Sequence, residues 1–535
     1  MHLILNMKLE EIYPTCYSVL GPHTWRLVLS DCTLQKGKDT FLDISLLKEK
    51  NHPIPEFLPD LASLEWTLHK TRGDEMEIPQ QVSEMMVNPT LHLLELTWKN
   101  LLSMIFTENG PSSVVPAPGE EVILIWREPE TQEIKAQKAS EEDLLVLKIV
   151  VEKIGNEDVA SAGNLPIGAV DSAIDRAIDK RLLLKPQSLI KRSSKNFPVD
   201  QDINETFLIS SVFTLQWHIT QACNLSCKHC YDRSNRPSMS LEKAFGVLDD
   251  LYRFCKSKNV KGQVSFSGGN PLLFPNFHKL YGAAFERGFA VAILGNPTSR
   301  EKIEQLISIE EPAFYQISLE GLPEHNDHIR GPGHFKKSME FLKILRDLRV
   351  YSIVMLTLTK DNMDQVLPLA EELHGLTDCF TFNRLSQVGE GADLEIPTRE
   401  EYSVFLKSYI DAAAHNSMIH LKDNLINILY KEKGYNLFGG CSGYGCGAAF
   451  NFISVLPDGE AHACRKFPSL IGNIFEESIE DVYDSEMAQQ YRAGTRACLS
   501  CSIRHVCGSC LAVGYGQGLN IFEERDPHCF IKTCK

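Results

Sequence analysis

I-T-Q-A-C-N-L-S-C-K-H-C-Y, residues 219–231, sets Cys223, Cys227 and Cys230 in the spacing C-x3-C-x2-C, with the aromatic His229 directly before the last thiol. Three thiolates on one short loop can hold three irons of a [4Fe-4S] cluster and leave the fourth iron open to a substrate or cofactor. A structural zinc loop is the alternative, although zinc usually takes a fourth protein ligand at similar range.

The composition narrows the field around that loop. A chain of 535 residues is too long for one ordinary domain. Hydrophobic content of 43% with 23% charged residues describes a globular protein with ample core. A net charge of -16 argues against a general nucleic-acid binder, whose affinity rests on cations meeting phosphates. No apolar run reaches the length of a membrane span, and the first residues lack a secretory pattern, so a cytoplasmic location is expected. There the 16 cysteines read as metal ligands rather than disulfides, and eleven of them stand in cluster-like spacings.

From Phe207 onward, apolar runs alternate with helical patterns, the signature of a parallel β/α fold. Strands are expected at 212–219, 263–267, 289–294, 314–319, 351–358 and 380–385. Six units predict a partial (β/α)6 barrel of the TIM type, with its chemistry at the C-terminal strand ends. Unusual residues do gather there. The cysteine loop follows the first strand, S-G-G-N-P (267–271) the second, and I-S-L-E-G-L-P-E-H-N-D-H-I-R (317–330) the fourth. The end of the chain carries Cys441, Cys446 and Cys464, then C-L-S-C-S-I-R-H-V-C-G-S-C with Cys498, Cys501, Cys507 and Cys510, and lastly Cys529 and Cys534. Read alone, these pairs also suit zinc ribbons.

Together, the C-x3-C-x2-C loop, the Gly-Gly turn and the S-L-E-G segment resemble the radical S-adenosylmethionine (SAM) enzymes, and the cysteine-rich end resembles their SPASM extension. The resemblance covers roughly 207–535. It implies a SAM-binding [4Fe-4S] cluster on Cys223, Cys227 and Cys230, with SAM touching His229, Gly268, Gly269, Asn270, Ser318, Arg330 and Leu385. Asn270 departs from the family, which has Glu at this point of its G-G-E-P segment. An amide can still accept from the SAM ammonium, without charge. The resemblance further implies two auxiliary [4Fe-4S] clusters, one on Cys441, Cys446, Cys464 and Cys510, the other on Cys498, Cys501, Cys507 and Cys529. The sequence has C-G-S-C where the family has C-x3-C, which leaves Cys534 as a substitute for Cys510. Cys16, Cys32, Cys255 and Cys379 read as ordinary thiols.

Upstream, residues 1–110 read as a helical domain with Leu61, Leu64 and Leu68 in a stripe. Residues 111–186 read as a hairpin, a helix opened by Ser140 and Asp143, and a further helix. This winged-helix-like order resembles the peptide-recognition elements of ribosomal-peptide machinery, whose sheet edge accepts a leader strand. A linker (187–206), the barrel (207–396), a helical bridge (397–440) and the SPASM region (441–535) complete the expected plan. The resemblance implies an enzyme that splits SAM to a 5′-deoxyadenosyl radical and modifies a ribosomally made, Cys-containing precursor peptide bearing a leader. It also implies an electron donor such as flavodoxin or ferredoxin. G-G-N-P, the S-L-E-G segment and the fused N-terminal region resemble the selenobiotic, thio(seleno)oxazole-type subgroup. A maturase of a folded protein such as a sulfatase, and a non-catalytic iron–sulfur or zinc scaffold, are the alternatives.

Overall fold

A computed structural model describes residues 9–31, 54–106, 115–193, 197–198 and 203–532. Cys32 and Cys534 lie outside them. The chain divides into two compact units, Met1–Gln187 and Ser188–Lys535.

In the first unit, helices Pro14–Asp31 and Leu58–Gly73 pack on a sheet, with Leu61, Leu64 and Leu68 buried as the helical stripe predicts. Strands β1 (Met86–Val87), β2 (His92–Lys99), β3 (Ala117–Arg127), β4 (Ile134–Lys138) and β5 (Leu183–Leu184) form two small sheets, ordered β2-β3-β4 and β1-β5. The helical reading of 1–110 therefore fails at β2. Leu94, Leu96 and Trp98 alternate with the exposed Leu93, Glu95 and Thr97, a period of two that the leucine content disguises. The expected boundary near residue 110 also fails. Strand β3 sends Ile123 and Ile125 into one core and Leu124 and Trp126 into the other, so the two halves share a strand. Beyond the hairpin, Ser140 caps the helix Glu141–Glu152 in a capping box with Asp143. Helices Asn156–Gly163 and Ile167–Asp179 complete the unit.

The second unit is built on one nine-stranded sheet. Six parallel strands run in sequence order: β6 (Val212–Thr220), β7 (Lys261–Gly268), β8 (Ala290–Leu294), β9 (Phe314–Ser318), β10 (Ser352–Leu358) and β11 (Cys379–Arg384). Each falls within two residues of its expected limits, because buried parallel strands read as short β-branched and aromatic runs. The helices between them bury one face each, as Val247, Leu251 and Phe254 do in Leu241–Ser257. Beyond β6 the sheet continues into β12 (Phe452–Val455), β13 (Glu460–His462) and β14 (Leu470–Asn473). Because β12 pairs in parallel with β6, the cysteine-rich region covers the open edge of the barrel's first strand.

The expected linker 187–206 is in part packed structure. Ile190 is fully buried, and Arg192 donates to the carbonyls of Tyr444, Cys446 and Arg492 at 2.7–3.0 Å. The Arg192 guanidinium lies 4.2 Å from the ring centroids of both Phe197 and Phe450. Burial lowers its pKa to about 10. A basic, polar run looked like solvated chain because its acceptors are backbone carbonyls hundreds of residues away. Arg192→Ala leaves three buried carbonyls without this donor, each worth about 1–3 kcal/mol if unsatisfied. Such protein should melt earlier than the parent in thermal unfolding.

Candidate active site

The cysteine loop is held at the C-terminal end of β6 from two sides. The backbone amides of Gly269 and Asn270 donate to the carbonyls of Thr220 and Ala222, each at 2.8 Å. This approach needs glycine: a Cβ on Gly268 or Gly269 would stand 2.3 Å from the carbonyl oxygen of Thr220 or Ala222 respectively. The Gly-Gly pair thus admits the loop's own backbone. From the other side Glu390 donates to the Cys230 carbonyl at 2.9 Å and Lys228 donates to Ile329 at 2.9 Å.

Cys223, Cys227 and Cys230 then line a cavity of about 440 Å³ at the strand ends, a size suited to a cofactor and part of a substrate. Six of the seven residues expected to touch SAM share its wall: His229, Gly268, Gly269, Ser318, Arg330 and Leu385. Asn270 does not. It is 3% exposed, its Oδ1 accepts from the Leu272 amide, and its Nδ2 donates to Asn224 Oδ1, both at 3.3 Å. The shorter side chain is consumed in capping the turn Pro271–Leu273 behind the wall. Asn270→Glu should therefore bury a carboxylate behind the wall in place of an amide that caps the Leu272 N–H, and destabilise the protein. Asn270→Leu should cost only about 1–3 kcal/mol for the unpartnered amide. Thermal melts of the two variants check that order.

Around the three thiols, polar groups are arranged as donors. Asn296 Nδ2 lies 3.6 Å from Cys223 Sγ, and Arg330 Nη1 lies 3.8 Å from Cys227 Sγ. Burial pushes the Cys227 thiol up, and the Arg330 charge pulls the other way. Arg330 is fixed by Glu320, whose Oε1 accepts from its Nε at 2.9 Å and its Nη2 at 2.6 Å. Glu320 Oε2 accepts from the Thr357 amide at 2.8 Å. Burial works to raise this carboxyl, yet His229 and Arg330 outweigh it and hold it below the usual range. His229 Nε2 stands 3.3 Å from Glu320. Its Nδ1 is buried with no partner among the described residues, a polar atom open to a bound group. This donor-rich setting fits thiolates on a cluster.

Two smaller cavities collect the other eight cluster-type cysteines. Cys441, Cys446, Cys464 and Cys510 line one of about 60 Å³, together with Lys422, Arg384 and Lys466. Cys498, Cys501, Cys507 and Cys529 line another of about 20 Å³, beside Asp526. Burial raises Cys446 to about 12, Cys464 to about 11 and Cys498 to about 11, with neighbouring thiols adding to it. Thiols packed in this way ionise only when a cation takes the place of their protons, which fits iron. Among the described residues no three His, Cys, Asp or Glu side chains converge as a single ion requires. A four-iron cluster takes its thiolates at separate irons. Cys255 and Cys379 lie elsewhere, buried and raised to about 12 and about 11.

Several residues of the site are not marked in the sequence. Arg384, at the end of β11, lines both the large cavity and the Cys441 cavity. Its Nη1 and Nη2 each meet an oxygen of Asp526 at 2.7 Å, and its Nε meets Asp423 at 2.8 Å. Asp526 Oδ2 also accepts from the Cys510 amide at 3.1 Å. Arg465, Lys466 and Asn296 reach the large cavity as well. The dipeptide R-K after Cys464 was the available signal for two of them, and an ordinary surface explains such a pair equally well.

Comparison with known proteins accords with this geometry. Residues 217–373 match the Radical SAM superfamily, and residues 446–510 match SPASM, an iron–sulfur cluster-binding domain. The barrel region thus matches the radical SAM superfamily and the cysteine-rich region an iron–sulfur cluster-binding domain, in keeping with an enzyme whose cofactors are SAM and [4Fe-4S] clusters. Among its relatives is the antilisterial bacteriocin subtilosin biosynthesis protein AlbA of Bacillus subtilis, 26% identical over 323 residues, 57% of this chain and 67% of that one. An AdoMet-dependent heme synthase of Methanosarcina barkeri is 25% identical over 352 residues, 60% of this chain and 97% of its own. The mycofactocin maturase MftC of Mycolicibacterium smegmatis is 27% identical over 336 residues, 59% of this chain and 82% of its own. Among the described residues, no helix is long and apolar enough to cross a membrane.

Proposed function

We propose that the protein is a maturase of a ribosomally made, Cys-containing precursor peptide. The observation that carries this reading is the large cavity, which is lined by the three loop cysteines, by six of the residues expected to touch SAM, and by Lys466, which also lines the Cys441 cavity. Cys223, Cys227 and Cys230 hold the SAM-binding cluster; Cys441, Cys446, Cys464 and Cys510 hold one auxiliary cluster and Cys498, Cys501, Cys507 and Cys529 the other. A cluster held by the three loop thiols would, when reduced, supply the electron for reductive cleavage of SAM and so the radical chemistry that takes a hydrogen atom from the substrate. Arg330, oriented by Glu320, and His229 and Ser318 would position the cofactor, and the buried residues of β7 to β11 would limit the access of water. A flavodoxin or ferredoxin serves as electron donor.

The first unit binds the leader. Strand β4 pairs only with β3 among the described residues, which leaves an edge where an extended peptide can add by main-chain hydrogen bonds. The bacteriocin and mycofactocin relatives support a peptide substrate, while the heme synthases make a small molecule the competing reading. Removal of residues 1–187 separates the two. Turnover of a leader-bearing peptide, followed by its mass change and by 5′-deoxyadenosine, should fall to background in the truncated enzyme. Undiminished turnover would remove the leader-binding role.

A further inference from the structure

The charges on the wall of the large cavity do not balance. Five cations line it, Arg233, Arg330, Arg384, Arg465 and Lys466, against one carboxylate, Asp232, which pairs with Arg236 at 3.6 Å. Three are met by carboxylates, Arg330 by Glu320 at 2.6 Å, Arg384 by Asp526 at 2.7 Å and Arg233 by Glu390 at 4.0 Å. Arg465 has Ser267 Oγ at 3.2 Å, and no carboxylate of the described residues forms an ion pair with it or with Lys466. This excess of cation is set in a chain whose net charge is -16.

Cluster thiolates account for part of it. Lys422 and Lys466 line the cavity of Cys441, Cys446, Cys464 and Cys510, where anionic sulfur needs compensation. Arg465 does not line that cavity; it lies half-buried on the wall of the larger one, near the end of β7. Burial works against its charge, and the Cys464 and Cys441 thiols favour it. A guanidinium in a shielded wall, anchored by one hydroxyl, keeps donors for a planar anion.

We propose that Arg465, assisted by Lys466, is a carboxylate-recognition point that selects a substrate carrying a carboxylate beside its reacting residue. The inference rests on the peptide reading and adds the chemistry of the substrate: an acidic side chain or a C-terminal carboxylate. Selectivity follows because a neutral amide of the same shape would leave the guanidinium without its anion in a site sheltered from water.

The test uses full-length, SAM-loaded enzyme with its clusters oxidised, so that SAM stays intact. Broadening of the proton NMR lines on binding to the large protein then reports any small molecule entering the cavity. Three probes suffice: N-acetylglutamic acid α-amide, the neutral N-acetylglutamine amide, and N-acetylglycylglycine with a free carboxylate. At least one acid should broaden about fivefold or more beyond the neutral amide. A response to the first acid alone identifies a side-chain carboxylate, and a response to the last alone identifies a chain terminus. In Arg465→Gln the acids should fall to the neutral level, and in Arg465→Lys part of the difference should return. Lys466→Gln, which should reduce the difference, serves if Arg465→Gln does not fold. Equal broadening of acid and neutral probes overturns the assignment. So does acid selectivity that survives Arg465→Gln, or that appears only without SAM, since Arg465 would then serve the carboxylate of SAM. None of these outcomes bears on the peptide reading, which stands or falls on leader-dependent turnover.

Discussion

Enzyme carrying Cys223→Ala, Cys227→Ala and Cys230→Ala together should retain about eight of the roughly twelve irons expected after anaerobic reconstitution. It should form no 5′-deoxyadenosine. The reason for so clean a partition is spatial. The three loop thiols line the large cavity, while the other eight cluster-type cysteines line two further cavities, one of which shares Arg384 and Lys466 with the first but none of its cysteines. On the proposed ligation, removing the loop thiols takes away the protein ligands of the first cluster and leaves the second and third sets intact. Iron content, the visible absorption of the remaining clusters, and 5′-deoxyadenosine by chromatography give the readouts. SAM cleavage that persists in this variant would end the radical mechanism, and a loss of all the iron would show that the three sites do not load independently.

Asp526→Asn should be the most damaging single change outside the cysteines. Asp526 is 3% exposed and holds both ends of the Arg384 fork at 2.7 Å while accepting from the Cys510 amide at 3.1 Å. An asparagine preserves the shape and removes the charge, leaving Arg384 with Asp423 as its remaining carboxylate. Breaking a buried pair in this way costs about 3–5 kcal/mol. The affected residues stand between the two auxiliary cavities, so iron should be lost from both along with thermal stability. The pH dependence has a definite sign. Burial works to raise the Asp526 carboxyl, but Arg384 outweighs it and the folded pKa lies below the ordinary value. The stabilisation is therefore complete above about pH 4, the unfolded value, and is lost as the pH falls through the folded pKa. The gap in stability between parent and variant should stay level from neutral pH down to about 5 and close only in acid. A gap that closed near pH 7 instead would point to His528, 3.2 Å from Arg384 Nη1, as the controlling group.

Spacing along the chain determined the elements whose information is local. C-x3-C-x2-C defines a loop with three thiols whatever surrounds it, and each buried parallel strand is a short apolar run, so all six barrel strands could be placed from the sequence. The Ser140 capping box was legible for the same reason, since both partners lie within three residues. Strand β2 was missed because four apolar residues in eight also satisfy a helical stripe, and only pairing with β3 settles the period.

The tertiary structure alone decided what depends on distant partners. Gly268 and Gly269, expected as contacts of SAM, line the cavity and also admit the backbone of the cysteine loop. Asn270 was expected on the cavity wall, but its amide is occupied by Leu272 and Asn224 behind it. Arg192 looked like part of a solvated linker until the carbonyls of Tyr444, Cys446 and Arg492 came to surround it. Which cations of the site are neutralised was equally hidden. Arg384 and Asp526 are 142 residues apart, and Arg465 and Lys466 differ from them only in having no such carboxylate brought to them. Ion pairing in a buried site is a property of three-dimensional neighbourhood, and no one-dimensional spacing records it.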